Sequence, residues 1–415
     1  MKSIQHIKER LGIWSGIIGL VGLSVIILMA VFGPLLTASL PLSARIEGDI
    51  RFPALYPDQP VDYDLPDGKK LKELDWTQFE AKHLIWAPFP FGLEPFQSKS
   101  YLSPLTTSNR GKIHWMGTDR RGRDVLTLIM IGARATLRNT CIATLIAGIL
   151  GIFMGLIAGY SAGKPINIPL GQVSGWILGI IPALFYGGFL QQFLLVEAFD
   201  ITLMRGLTVL GACLLIGLSC LATFGIIGKW TFRLMGIRRT LSLDLDFWIM
   251  RLIEILRAVP ILLLLLSFGG MIKAPSMLFF LSLVALLGWG TIARITRGEV
   301  LKFRHSLYLD AAKSLGLPPW RILLLHLLPN MAAPLLVTLS FLASGVVFAE
   351  SALSFLGLVG ETLSWGGLIG SARNLHTPWW LVAFPGMAIT VTVLCFHLSG
   401  EAIRIRLNPK LRSGM

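Results

Sequence analysis

The sequence predicts an all-α polytopic membrane helix bundle with eight spans, and three observations predict it. The 415 residues are 54% hydrophobic and only 14% charged, whereas a soluble domain carries about 25% charged residues. Eight apolar runs approach or exceed the roughly 20 residues a helix needs to cross a hydrocarbon core of about 30 Å. Lys and Arg concentrate in alternate connecting segments. The composition excludes an ordinary soluble enzyme, a disordered chain and a collagen-like fibre. A net charge of +14 would suggest nucleic acid on a soluble chain. Here the positions of the charges decide its meaning, and no nucleic-acid partner is expected.

The runs lie at 12–36, 139–160, 173–195, 206–228, 247–272, 277–295, 331–355 and 379–399. Each is read as helix, because lipid cannot satisfy an open strand edge. The first follows Lys2, Lys8 and Arg10. It is too long for a signal h-region and lacks a small-x-small cleavage site, so it reads as an uncleaved anchor. With the N-terminus in the cytoplasm, segments 1–11, 161–172, 229–246, 296–330 and 400–415, with Arg294, hold 18 Lys or Arg. The short outer loops hold only Arg205, Lys273 and Arg373. The positive-inside rule then puts both termini of this multi-pass protein in the cytoplasm. Residues 37–133 form one long outer segment with 12 basic and 12 acidic residues, and long loops cross regardless of charge. Its many prolines, with Trp76, Trp86 and Trp115, indicate an irregular, partly packed extracytoplasmic cap. Cys141, Cys213, Cys220 and Cys395 all fall in apolar runs without a CxxC spacing, and read as packing residues.

Several kinds of chemistry have no motif in the chain. There is no GxxxxGK[ST], HExxH or GxSxG, and the seven histidines are scattered. No nucleotide, metal or catalytic site of its own is expected, which leaves transport or scaffolding.

The loop 296–330 is the most informative cytoplasmic stretch. Ser306 can cap a short helix over 307–315, and Gly316 suits a left-handed position after it. Pro318 prevents continuation, Pro319 suits the first turn of a second short helix, and Pro329 marks a break before the next span. Ala311 and Ala312 offer a smooth patch onto which another protein's groove could close.

Further groups are candidate sites. In Gly117-Thr118-Asp119-Arg120-Arg121-Gly122-Arg123-Asp124, Thr118 or Asp119 can cap an amphipathic interfacial helix running toward Leu137, and Gly122 lets it pack closely. The three arginines make Asp119 and Asp124 salt-bridge partners rather than an acid/base pair. Arg251, Glu254 and Arg257 occupy one helix side, and Arg257 either snorkels to the interface or lines a cytoplasmic gate. Glu350 follows 19 largely apolar residues and sits either at the outer interface or buried in an outer gate. Gly151, Gly155 and Gly159 form a small-xxx-small face for a neighbouring helix or a partner. Trp379-Trp380 marks an interface.

Resemblance sharpens these readings. Asp310-Ala311-Ala312-x-x-x-Gly316 followed by Leu328-Pro329 resembles the EAA loop of ABC importer permeases, the coupling helix that docks on the ATPase subunit. Asp310 stands where Glu is usual. Gly117–Asp124 is similar to the GTDxxGRD signature, and Glu350-Ser-Ala-Leu-Ser-Phe-Leu-Gly357 is similar to an E-A-A-L-S-F-L-G stretch. Arg251 and Glu254 resemble an R-x-x-[DE] pair, while Ser364-Trp-Gly366 and Asn408-Pro409 are also similar. Together they resemble the C-type permease of dipeptide, oligopeptide and nickel importers, over about 12–160 and 244–410. Pro53 and Ile85-Trp86-Ala87-Pro88 resemble the branch that takes up larger peptides such as microcins.

The resemblance implies a B-type permease partner, two ATPase subunits that bind ATP and Mg, a solute-binding protein and surrounding lipid. It implies no cofactor in this chain. Peptide is the implied cargo, with nickel chelates or another small solute open. A membrane scaffold or a secondary transporter is the alternative. The departure is an apolar hairpin at 161–243, read as peripheral packing or as a substrate element. The chain thus divides into tail and first span (1–36), cap (37–116), interfacial helix and second span (117–160), inserted hairpin (161–243) and permease core (244–415). Six spans are of the family type and two are added.

Overall fold

The computed structural model describes residues 2–46, 49–56, 82–93, 100–107, 111–201, 203–237, 239–260, 263–264, 267, 277–304, 306–358, 363–373 and 378–407. Among them, seven helices are long and apolar enough to cross a membrane: Trp14–Leu36, Val125–Ser161, Leu170–Leu194, Thr208–Leu234, Phe279–Phe303, Ala332–Phe355 and Trp380–Arg406. The architecture is that of a polytopic helix bundle. The remaining expected span, 247–272, is described only as the helix Leu245–Ala258. Most of its second half lies outside the described residues, as do 57–81 of the cap and Asn408-Pro409.

The chain forms two compact units, Met1–Leu156 with Leu252–Met415, and Ile157–Arg251. In the first, α1 (Lys2–Leu36) packs along α11 (Trp380–Leu407). Gly16, Gly19 and Gly22 recur every three residues on α1 and lie against Ala402, Leu398 and Cys395. Without side chains they let the two backbones approach, which is how helices associate where lipid supplies no hydrophobic drive. The helix α2 (Val125–Ser161) does the same against α7 (Met277–Phe303). A Cβ on Gly151 or Gly155 would stand 2.6 or 2.5 Å from the carbonyl oxygens of Trp289 or Ala293. These two glycines therefore serve packing within the chain.

α2 corrects an expectation. The amphipathic stretch 125–137 is not a separate interfacial helix but the first turns of a continuous helix of 37 residues. At 1.5 Å per residue that is about 55 Å, well beyond the hydrocarbon core. Val125, Leu128, Ile129, Ala133 and Leu137 are buried, so these turns pack inside protein. Val125, Ile129, Ala133 and Leu137 form one core with Ile26 and Ala30 of α1, Trp365 and Leu381. A second core joins Leu156 of α2, Ile292 and Val300 of α7, and Leu335 of α9 (Ala332–Phe355).

The cap is not purely irregular. Strands β1 (Ser43–Ile46), β2 (Asp49–Arg51) and β3 (Lys82–Ile85) pair antiparallel in the order β2-β1-β3. A two-residue ribbon joins β4 (Thr106–Thr107) to β5 (Ile113–His114). Lys112 lies 4.9 Å from the Trp86 ring centre.

The second unit contains the hairpin. α3 (Leu170–Gly187) packs along α5 (Leu203–Leu234), with the ten-residue α4 (Gln192–Ile201) between them in sequence and packed on α5. Gly171, Gly175, Gly179 and Gly187 line the α3 side and meet Gly228, Phe224 and Gly217 of α5. A ribbon of β6 (Ile166–Pro169) and β7 (Thr240–Leu243) joins the ends of the hairpin, with Ile166 opposite Leu243. α6 (Leu245–Ala258) follows.

Candidate functional site

The loop after α7 builds a short, closed helix. α8 (Leu307–Ser314) starts after Ser306, whose backbone is extended. Ser306 occupies the cap position but does not cap through its side chain. Its hydroxyl donates to the Phe303 carbonyl at 2.7 Å. Its own carbonyl accepts from Leu309 and Asp310 at 3.0 and 3.2 Å. The C-terminus closes as a Schellman motif. Gly316 has φ +74°, its N–H donates to Lys313 O at 2.9 Å, and Leu317 N–H donates to Ala312 O at 3.3 Å. A left-handed residue is needed here, and glycine adopts that conformation without a Cβ clash.

Pro318 and Pro319 then start a second helical stretch, with Pro319 in its first turn. Residues Ile322–Leu327 widen into π-helix, and Leu328 N–H reaches Leu323 O. Pro329 has no N–H with which to continue an α-type ladder, and the wide turn absorbs that loss. The break expected at Pro329 falls at Met331, where the backbone leaves the helix before α9. Leu328 is half-buried and Pro329 exposed.

The faces of α8 differ from expectation. Ala312 is 6% exposed and, with Leu309, packs against Ile322, Leu327 and Met331 in the second core. It cannot contribute to an outer patch with Ala311, because adjacent residues on a helix are about 100° apart. The outward stripe is Leu307, Ala311 and Leu315, at i, i+4 and i+8. Leu307 is 89% and Leu315 80% exposed, and Tyr308 flanks them. Asp310 is exposed and pairs with Lys313 at 2.8 Å within α8. The stripe was readable in the sequence as helical spacing but was hidden by the adjacent alanine pair.

The Gly117–Asp124 motif is a tight, largely buried corner. Gly117 has φ +78°, and a Cβ there would meet Leu102 O at 2.6 Å. Thr118 accepts from Leu102 N–H at 2.8 Å through Oγ1 and so holds the cap chain, not the helix. Asp119 accepts from the N–H groups of Arg121 and Arg123 at 2.8 Å. Its other oxygen meets the Arg123 side chain at 2.7 and 2.8 Å. Gly122 has φ +75°, so its role is the turn rather than close helix contact.

The cap of α2 is Asp124. Its Oδ2 accepts from Thr127 N–H at 2.9 Å and Thr127 Oγ1 at 3.0 Å. Its Oδ1 pairs with Nδ1 of fully buried His114 at 2.9 Å. The expectation of a cap at Thr118 or Asp119, and of an arginine partner for Asp124, gives way to this arrangement. His114, stacked on Phe91 at 4.3 Å, carried no spacing signal in the sequence.

Glu350 is 1% exposed on α9, so the interface reading gives way to the buried one. Ser354 donates to its Oε1 at 3.2 Å. Ser351, Ser364 and Asn139 are further polar neighbours of the carboxylate, and its Oε2 and the Ser351 hydroxyl have no hydrogen-bond partner among the described residues. These neighbours link α9 to α2 and to α10 (Trp365–Ser371), whose N-terminus Ser364 caps by accepting from Gly367 N–H at 3.3 Å. Trp365 is locked into α2 by its indole N–H on Ile129 O at 2.9 Å. Trp380 donates to Thr118 O at 3.3 Å, joining α11 to the corner. Asn139, Ser354 and Ser364 belong to this site; spacing alone does not reveal them, because they come from three separate elements. Arg251, Glu254 and Arg257 are all exposed on α6, whose Ile253 is buried, and Arg251 lies over the Phe247 ring.

The profile of the family described as binding-protein-dependent transport system inner membrane component matches residues 233–413. A Brucella suis permease protein, assigned provisionally by name to a peptide transport system, is 34% identical over 200 residues, covering 48% of this chain and 66% of its own length. The dipeptide transport system permease protein of Bacillus subtilis is 34% identical over 172 residues, covering 40% and 53%. The oligopeptide transport system permease protein of Salmonella typhimurium is 34% identical over 174 residues, covering 40% and 56%. The chain therefore spans less than two thirds of the length of these relatives. Residues 233–413, which hold α8, α9 and Glu350, are thus similar to the binding-protein-dependent transport system inner membrane component family.

Proposed function

We propose that this chain is the C-type transmembrane permease of an ATP-driven importer that moves peptides across the bacterial cytoplasmic membrane by alternating access. The observation that carries the reading is α8. It is a short helix, closed at its C-terminus by the Gly316 turn, that buries Leu309 and Ala312 against the membrane helices and turns Leu307, Ala311 and Leu315 outward. An exposed apolar stripe on a helix beyond the spans suits an amphipathic groove in another protein. In this reading an ATPase subunit covers the stripe, and its movement passes through the shared core to α7 and α9. A second, B-type permease, two ATPases holding ATP and Mg, and a solute-binding protein complete the assembly. Both termini and α8 lie in the cytoplasm, and the Gly117–Asp124 corner lies outside. Relatives whose names specify dipeptide and oligopeptide transport support peptide as cargo.

The test is co-purification of the assembled transporter. Leu307→Asp is expected to lower ATPase subunit recovery about tenfold or more, at unchanged chain level in the membrane. Ala312→Asp is expected to lower the chain level itself, because it places a charge in the core. Full ATPase recovery and full transport-coupled hydrolysis with Leu307→Asp would exclude α8 as the coupling element.

A further inference from the structure

Beside the Gly117–Asp124 corner lies a half-open cavity of about 1010 Å³. Its wall comes from the corner, the C-terminal end of α9, α10 and the start of α11. Four guanidinium groups border it, from Arg120, Arg121, Arg123 and Arg373, against one carboxylate, Asp119. Arg123 already neutralises Asp119 through a two-point contact. Arg373 is held at the wall by the Phe355 carbonyl and ring. The charge balance of the wall is therefore +3, and Arg120 and Arg121 stand exposed at the turn. The rest of the lining is apolar or small, including Tyr101, Phe355 and Leu368. A concave wall rich in cationic groups, with an apolar patch beside them, suits a small anionic ligand better than a flat protein-docking face does.

We propose that this cavity receives the terminal carboxylate of a cargo peptide, with Arg120 and Arg121 as the selecting cations. A guanidinium matches a carboxylate with two parallel hydrogen bonds and resists deprotonation. The apolar patch of Tyr101, Phe355 and Leu368 receives the adjacent side chain, so the site reads the one group that all unmodified linear peptides share. The proposal rests on the importer reading and deepens it, by assigning a carboxylate-selective vestibule to the permease itself.

The experiment uses the complete transporter with its binding protein in proteoliposomes, and measures uptake of trialanine and of trialanine amide. The readout is the acid-to-amide ratio, compared among variants that share the same binding protein. The double variant Arg120→Gln/Arg121→Gln is expected to lower that ratio about tenfold, equivalent to about 1.4 kcal/mol. Arg120→Lys/Arg121→Lys is expected to restore part of it. An unchanged ratio overturns the proposal, since selection then resides in the binding protein. An equal fall for both probes also overturns it, and assigns the arginines to docking or assembly. If wild-type vesicles take up neither probe above vesicles lacking this chain, the importer reading fails together with the vestibule.

Discussion

At the residue scale, Asp124 does the work of two partners. One carboxylate oxygen caps α2 and the other holds His114 in a fully buried site. Removing a helix cap costs about 0.5–2 kcal/mol, and stranding a buried polar group costs about 1–3 kcal/mol. Asp124→Ala is therefore expected to lower stability by about 1.5–5 kcal/mol, read as a fall in the melting temperature of the detergent-purified protein. Asp124→Asn keeps an acceptor for one role and should fall between. Equal melting of wild type and alanine variant would show that the corner carries no stability. The sequence announced the motif but not this division of labour. Thr118, Asp119 and Asp124 are all good capping residues. The choice among them is made by Leu102, which claims Thr118, and by Arg123, which claims Asp119. Both contacts depend on how the chain turns, and the Leu102 contact is 16 residues away in sequence. Glu350 was ambiguous for the same reason: its neighbours Asn139 and Ser364 come from other elements.

At the element scale, α8 shows what is and is not legible. Its start, end and glycine closure follow from local chemistry, because capping and left-handed turns depend on neighbours in sequence. Its orientation depends on which face meets α7 and α9, and the adjacent alanines do not declare that. The closure also gives a prediction that separates backbone from surface. Gly316→Ala forces a Cβ into φ +74° and is expected to cost about 1 kcal/mol. Gly316→Pro cannot adopt that φ and also removes the N–H bonded to Lys313. Limited proteolysis of the membrane-embedded protein should show cleavage near residues 314–320 unchanged or slightly faster for alanine, and much faster for proline. Equal protection of both variants would mean that the Schellman closure does not hold the loop. The long α2 teaches the complementary lesson. Hydropathy locates the part that lipid would accept, but it does not show where a helix continues inside protein, as Val125 to Leu137 do here.

At the scale of the whole molecule, the surplus of positive charge collects in alternate connecting segments, which under the proposed function sets the topology. The segments assigned to the cytoplasm hold 18 basic and 6 acidic residues, while the long outer segment balances. An added hairpin must bring the chain back to the side it left, or every later loop would be inverted. The second unit, read as that hairpin, is packed on itself. Its glycine-rich α3 and α5 contact one another along their length, and the β6–β7 ribbon brings Ile166 opposite Leu243. Residues paired across an antiparallel ladder have Cα atoms about 5 Å apart, so a two-residue link can close that gap. Deleting 167–242 and joining Ile166 to Leu243 through Asn-Gly is therefore expected to leave a chain that still inserts and keeps α8 on its original side. Cysteines introduced at position 197 in the intact chain and at position 315 in both chains supply the readout with a membrane-impermeant thiol reagent, after the native cysteines are replaced. Position 197 should label from outside only, and position 315 from inside only, before and after the deletion. Loss of the shortened chain from the membrane, or labelling of position 315 from outside, would show that the hairpin is needed to set the core, not merely added to it.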